Sequence, residues 1–254
     1  MEKNKYKLIA DYHTHTIYSR NGHGKGTIRE NVEEAINKGL EEIYITDHGP
    51  GHIFFGLKRK KLPEIRRTID TLNEEYSGKI KIFLGVEANV VDYNGKYDIE
   101  EEDLKYFDIV NLGYHSGVFL RNFKSIFIYH ILNRLGRFSK KIESYCIEKN
   151  TDAIVKIIEE NNINIITHPG DKVKVDIKRL AKVCKENNTL MEINNHHPHL
   201  SVDEIKEAMP SGVDFSLGSD AHRPEKVGLV DKAIKRVEES GLAITRIKNL
   251  REVK

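Results

Sequence analysis

The sequence predicts an α/β fold in which seven parallel strands close into a barrel with helices on the outside. Seven short, β-branched apolar runs are separated by longer stretches of helical period. Alternation of this kind builds parallel sheets, and seven repeats are enough to close one into a barrel. An open doubly wound sheet is the alternative, but no GxGxxG follows the first run to favour it. The 254 residues suit one domain of barrel size, or two small ones.

Strands are expected at residues 6–12, 42–46, 79–86, 107–112, 163–167, 189–193 and 214–218. Helices are expected at 28–38, 63–75, 152–161, 177–187 and 226–240. Thr27 with Glu30 three residues on has the form of a capping box, and Gly39 suits the helix end. Residues 121–141, RNFKSIFIYHILNRLGRFSKK, break the rhythm with basic and aromatic residues and no acid. They read as an amphipathic helix inserted after the fourth strand, with its apolar face on the barrel and its Lys/Arg face in water. A cover over the substrate is the second reading, and contact with a membrane surface the third.

Composition excludes several classes of function. Lys and Arg number 41 and Asp and Glu 39, so the chain lacks the charge of a broad nucleic-acid-binding surface. Cys146 and Cys184 are far apart, which fits a reducing compartment and neither a disulfide scaffold nor a Cys-based zinc module. With no signal-peptide pattern and no run of about 20 apolar residues, the expected location is the cytoplasm.

The 12 histidines stand out because most sit at the ends of apolar runs. His13 and His15 close the first strand in DYHTH. Residues i and i+2 of a strand point the same way, so two imidazoles can converge on one ion. Asp220 and His222 repeat that spacing in GSDAH after the last strand. Between them TDHGP supplies His48, GVEAN Glu87, GYH His115 and THPG His168. Taken singly, each has an ordinary explanation: a surface histidine, a helix-flanking glutamate, a turn residue, an Asp N-cap. Taken together, six of seven strand ends carry a ligand-type side chain, and barrel active sites are built at that rim. Asp47, adjacent to His48 and so facing the other way, is expected to orient rather than to ligate.

A ligand set rich in imidazole favours zinc, manganese or iron over magnesium or calcium. Its size exceeds what one ion needs, so two or three divalent ions are expected. Three would carry +6 against −2 from Glu87 and Asp220, leaving a cationic site suited to an anionic substrate. Phosphate fits best. A hydroxide held between two ions about 3.5–4 Å apart would then attack phosphorus.

The blocks DYHTHT, HGKGTI, ITDHGP, GVEAN, GYH, THPG, EINN and LGSDAH together resemble the PHP (polymerase and histidinol phosphatase) family. The similarity is greatest to its stand-alone, YcdX-like phosphoesterase branch. The resemblance runs from Asp11 to His222. It implies a single domain over residues 1–254, a distorted (βα)7 barrel with a trinuclear metal site at the C-terminal strand ends. It also implies that His13, His15, Glu87 and Asp220 hold one ion, and that Glu87 bridges to a second held by His115 and His168. A third would lie with His23, His48 and His222; His23, a loop histidine, is assigned on the resemblance alone. The implied activity is that of a phosphatase on a small phosphomonoester. A PHP-type exonuclease and a C–N hydrolase of amidohydrolase type are the alternatives, and a non-enzymatic metal module is a third. His52, His196, His197 and His199 lie near the expected barrel mouth, as do Arg20 and Lys25. They are candidates for orienting ligands or contacting phosphate, or else ordinary loop residues.

Overall fold

The computed structural model of the chain describes residues 5–253. Seven strands lie side by side in the order β2 (Ala10–Thr14), β3 (Glu42–Ile45), β4 (Lys81–Asp92), β6 (Ile109–Gly113), β7 (Ile165–Ile166), β8 (Leu190–Asn194) and β9 (Phe215–Gly218). Every neighbouring pair is parallel. The sheet nearly closes on itself, because Thr14 bridges Ala221 and the His15 N–H donates to the Ala221 carbonyl at 2.8 Å. Helices α1 (Ile28–Asn37), α2 (Leu62–Glu75), α6 (Lys140–Glu160), α7 (Ile177–Glu186), α8 (Val202–Ala208) and α9 (Asp231–Ser240) alternate with the strands. Short α3 (Glu101–Leu104), α4 (Phe123–Ile126) and α5 (Asn133–Leu135) complete the set. Ile43, Ile45, Leu112, Ile166 and Phe215 are fully buried between these layers. The expected parallel barrel is therefore the fold.

The differences from expectation have local causes. The run at 6–12 splits at Ile9, whose N–H donates to the Asn249 carbonyl rather than to a barrel neighbour. The part before it, β1 (Tyr6–Leu8), pairs antiparallel with β10 (Leu250–Glu252) outside the barrel. The third strand continues well past residue 86 to Asp92 and folds back on β5 (Lys96–Tyr97). Polar Glu87 and Asn89 disguise that extension, yet both are buried with partners. The expected 152–161 helix is only the C-terminal half of α6. Helix α9 begins at Asp231 rather than 226, after a 3₁₀ turn and Gly228 at φ 71°. Helix α8, unanticipated, carries the capping box Ser201–Glu204. The Thr27–Glu30 box is formed as expected, and Gly39 follows the α1 cap at φ 71°.

Residues 121–141 do not form one continuous helix. Helix α4 runs into a π-helical turn, Phe127–Leu132, then α5, a 3₁₀ turn and the start of α6. The Asn133 side chain donates to the Ile128 carbonyl at 3.0 Å where an α-helical bond would otherwise form. The register change scatters the apolar residues: Ile128 is buried, whereas Phe123 and Phe138 are 80% and 86% exposed.

Asn249 clamps the barrel seam. Its amide donates to the carbonyls of Ala10 and Leu217 at 2.8 and 2.7 Å, and its Oδ1 accepts the Leu217 N–H at 2.9 Å. Asn249→Ala would leave three buried backbone groups unpaired. Urea unfolding is expected to show a loss of about 2–4 kcal/mol. A loss below about 0.5 kcal/mol, the size of an ordinary surface change, would mean the seam does not depend on it.

Candidate metal centre

The ligand-type side chains named from the sequence converge at the C-terminal ends of the strands. His13 lies in β2 and His15 just beyond it; His48 follows β3, Glu87 lies within β4, His115 follows β6, His168 follows β7, and Asp220 and His222 follow β9. His23 reaches in from the loop after β2. Parallel strands all deliver their C-terminal ends to the same rim, so residues up to 209 positions apart in the chain, from His13 to His222, meet.

Three groups can be distinguished. In the first, His13 Nε2 and His15 Nε2 lie 3.1 Å apart, and both face Glu87 and Asp220 at 3.2–3.7 Å. In the second, His115 Nε2 and His168 Nε2 lie 3.3 Å apart and 2.9 and 3.0 Å from Glu87 Oε1. In the third, His23 Nε2 is 3.1 Å from His48 Nε2 and 2.8 Å from His222 Nε2. His48 Nδ1 is also 3.0 Å from Glu87 Oε2. Contacts also run across these groups: His15 with His48 and His222, and His48 with Glu87 and His115, each offer three donor atoms within 4.8 Å of one another.

These distances fit metal ions better than they fit hydrogen bonds. Two donors each about 2.0–2.2 Å from one ion sit roughly 3 Å apart at ordinary coordination angles. Three mutually facing imidazole nitrogens, each with at most one proton, cannot satisfy one another. His48 Nδ1 and Glu87 Oε2 are both buried without an aligned hydrogen bond.

In four of these rings the other nitrogen is already engaged, which sets the tautomer. His13 Nδ1 faces Glu192 Oε1 at 2.7 Å and His115 Nδ1 faces Asn89 Oδ1 at 2.8 Å. His15 Nδ1 lies 3.1 Å from Ser19 Oγ, and His222 Nδ1 donates to the Asp220 carbonyl at 2.9 Å. His23 stacks on Phe55 with ring centres 4.0 Å apart. Asp47 accepts four bonds from the backbone and hydroxyls of Thr16 and Ser19, at 2.6–2.9 Å. It orients the first loop and reaches no other ligand, as the sequence suggested.

Burial pulls His23 down to about 3, helped by His222 and His48. It pulls His115 down to about 4 against the opposing pull of Glu87. Burial alone would raise Glu87, but the imidazoles of His115, His13 and His48 hold it well below the usual carboxylate range. At neutral pH His23 and His115 are thus neutral and Glu87 ionised, the forms that bind metal, whereas the carboxylates beside His13 and His168 hold those two rings up.

Sequence reasoning missed Glu192. It lies on β8, the one strand with no expected ligand, and is 1% exposed. Oε1 meets His13, while Oε2 accepts the His168 N–H at 2.8 Å and the Asn194 amide at 2.9 Å. Its signal was its place in EINN at a strand end. Of the other candidates, His199 turns away to Glu204 at 3.1 Å, His196 is exposed, and Lys25 is exposed. Arg20 donates to the carbonyls of Gly56 and Ile53 and so braces a loop. His52 is buried 5.0 Å from His48, ring centre to ring centre, and accepts the Phe55 N–H.

Gly218 leaves the room that Glu192 occupies. A Cβ there would land on Glu192 Oε1 and 3.0 Å from His13 Cβ. Gly218→Ala is expected to destabilise the protein by about 1–3 kcal/mol in denaturant unfolding with a chelator present. An unchanged midpoint would show that Glu192 can move aside without cost.

Comparison with known proteins agrees with this fold. Residues 11–196 match the PHP domain family. A protein of Caldanaerobacter subterraneus subsp. tengcongensis named a probable phosphatase is 34% identical, over 92% of this chain and 84% of its own length. Another so named, from Shewanella loihica, is 31% identical over 96% and 90%. The crystal structure of histidinol phosphate phosphatase from Lactococcus lactis, complexed with zinc, L-histidinol and phosphate, superposes with a TM-score of 0.64. It is 21% identical and covers 93% of this chain and 95% of that one, a likeness of fold. The barrel, its ligand-lined rim and these matches lead to one assignment: the chain belongs to the PHP domain family.

Proposed function

We propose that this chain is a metal-dependent phosphatase acting on a small phosphomonoester. The observation that carries the reading is the convergence of nine ligand-type side chains on one rim around Glu87. His13, His15, Glu87 and Asp220 would hold one ion, Glu87 with His115 and His168 a second, and His23, His48 and His222 a third. The imidazole-rich set suits zinc, manganese or iron. The zinc seen in the Lactococcus lactis structure is consistent with that choice. Bound ions would supply Lewis acidity toward phosphoryl oxygens and an activated water for in-line displacement.

The residues of the chain do the rest. Glu87, with an oxygen in two of the groups, fixes the spacing between them. Glu192, Asn89 and Ser19 hold the rings of His13, His115 and His15 at the correct tautomer and angle. The excess positive charge of the loaded centre would select an anionic group, and Phe55 against His23 narrows one wall. The probable-phosphatase names of the relatives point the same way. The two separated, buried thiols are consistent with work in a reducing cytoplasm.

Elemental analysis of the purified protein is expected to find two or three transition-metal ions per chain. Hydrolysis of p-nitrophenyl phosphate should vanish on chelation and return with manganese or zinc. Glu87→Gln should lower turnover by orders of magnitude with the fold intact by circular dichroism. Metal without any phosphatase turnover would sink the assignment, as would near-normal activity of the Gln variant.

A further inference from the structure

We propose that His197 is a tenth metal ligand, acting beside His168 and Asp220 and held in place by Asp171. The proposal rests on the metal-dependent reading above and adds to it a residue outside the nine. His197 sits in the loop after β8, in INNHHPHL, where three histidines crowd into four positions. The structure separates them. His196 is exposed at the rim, its ring centre 5.9 Å from that of His222, and His199 bonds to Glu204, whereas His197 turns into the centre.

The geometry of His197 is that of a supported ligand. Its Nδ1 lies 3.1 Å from Asp171 Oδ1. A carboxylate in that position accepts the Nδ1–H hydrogen bond, which fixes that tautomer and leaves the Nε2 lone pair free for a metal, the carboxylate–histidine–metal arrangement. That Nε2 faces inward, 3.5 Å from Asp220 Oδ2, and the His197 ring centre is 4.7 Å from that of His168. One donor atom each from His168, His197 and Asp220 lie within 4.8 Å of one another, as in the groups that contain His13, His15 and Glu87.

Both anchors of the pair are fixed independently of any ligand. Asn194 Oδ1 accepts the backbone N–H groups of His196 and His197, each at 2.8 Å, and so sets the turn. Arg236 donates to the His197 carbonyl at 3.2 Å from the opposite side. Asp171 closes the tight turn that follows His168, its N–H donating to the His168 carbonyl at 3.1 Å. One ligand-bearing turn therefore positions the carboxylate that holds the next. A loop histidine without a role would not require its main chain to be held from two sides and its ring from a third.

The test compares His197→Ala, Asp171→Asn and, as a neighbouring control, His196→Ala. Each protein is loaded with zinc, and metal is counted by elemental analysis and by titration against a competing chromophoric chelator. The cobalt(II)-loaded proteins are compared by visible absorption. The expected result is a loss of roughly 10–100-fold in affinity for one ion in Asp171→Asn. His197→Ala should lose at least as much and show an altered cobalt spectrum, while His196→Ala behaves as the parent. Unchanged affinity and spectrum in His197→Ala would overturn the proposal and leave the phosphatase reading intact. A parent protein that binds no metal would overturn both, and a parent that binds metal without phosphatase turnover would sink only the phosphatase. Thermal unfolding of the chelated variants separates a folding defect from lost ligation. If His197→Ala does not fold, the Asp171→Asn and cobalt results decide.

Discussion

The Glu87 carboxylate is the constraint around which the rest is arranged. It is 1% exposed, and its two oxygens lie within 3.5 Å of ring nitrogens from five histidines. An ionised carboxylate removed from water needs opposite charge close by, or its burial costs several kcal/mol. In the chain alone that charge is protons. His13 is held well above its ordinary value despite burial, by Glu192, Glu87 and Asp220, and His168 is raised by Glu87. His15, buried among imidazoles, is pushed far down. The cluster thus settles its charge by dividing protonation unequally among equivalent rings. Divalent ions would replace those protons, so loading the centre releases protons and weakens as pH falls.

Everything around Glu87 serves to keep donors close that would otherwise separate. The barrel delivers the strand ends to one rim, and Asn249, Asp11 and the Thr14–Ala221 bridge hold the first and last strands together there. Among the described residues, two of the four positive-φ residues other than glycine lie at the same place. His168 and Asp220 have φ of 28° and 53°, conformations that side chains other than Gly seldom adopt. In both cases the unusual φ turns a ligand-type side chain back over the barrel mouth. Gly218 is the complement: the absence of a side chain lets Glu192 pass beneath His13.

What could be read from the sequence follows from the range of the interactions involved. Strand periodicity and the i, i+2 spacing in HTH and DAH are local, so the barrel and most of the rim were legible. The carboxylate and amide partners of the rings were not, because they are remote: His13 and Glu192 are 179 residues apart, and His115 and Asn89 are 26. No window of sequence contains both members of such a pair. His23 could be placed only by likeness to a family, since its own neighbours are those of any glycine-rich loop. The length of β4 was hidden for a different reason. Glu87 and Asn89 read as a strand stop, yet inside this barrel they have partners and the strand runs on to Asp92. Residues 121–141 failed as one helix because the Ile128 carbonyl accepts the main-chain and side-chain N–H groups of Asn133 instead of its α-helical donor.

The two carboxylate–histidine pairs show how the inner and outer parts of the centre differ. Glu192 holds His13 from within a strand, fully buried, and also ties the His168 main chain, so its two bonds link β2, β7 and β8. Asp171 and His197 lie on consecutive loops and are partly exposed, with side chains 11% and 23% accessible. The barrel thus fixes the inner ligand-type side chains. The loops after β7 and β8 carry what can vary. A loop pair that shapes metal affinity at the mouth also shapes what reaches it, because substrate must enter past the same side chains. Differences in substrate among related barrels should therefore reside in these loops more than in the nine inner side chains, which have little freedom to change without exposing Glu87 to an uncompensated burial.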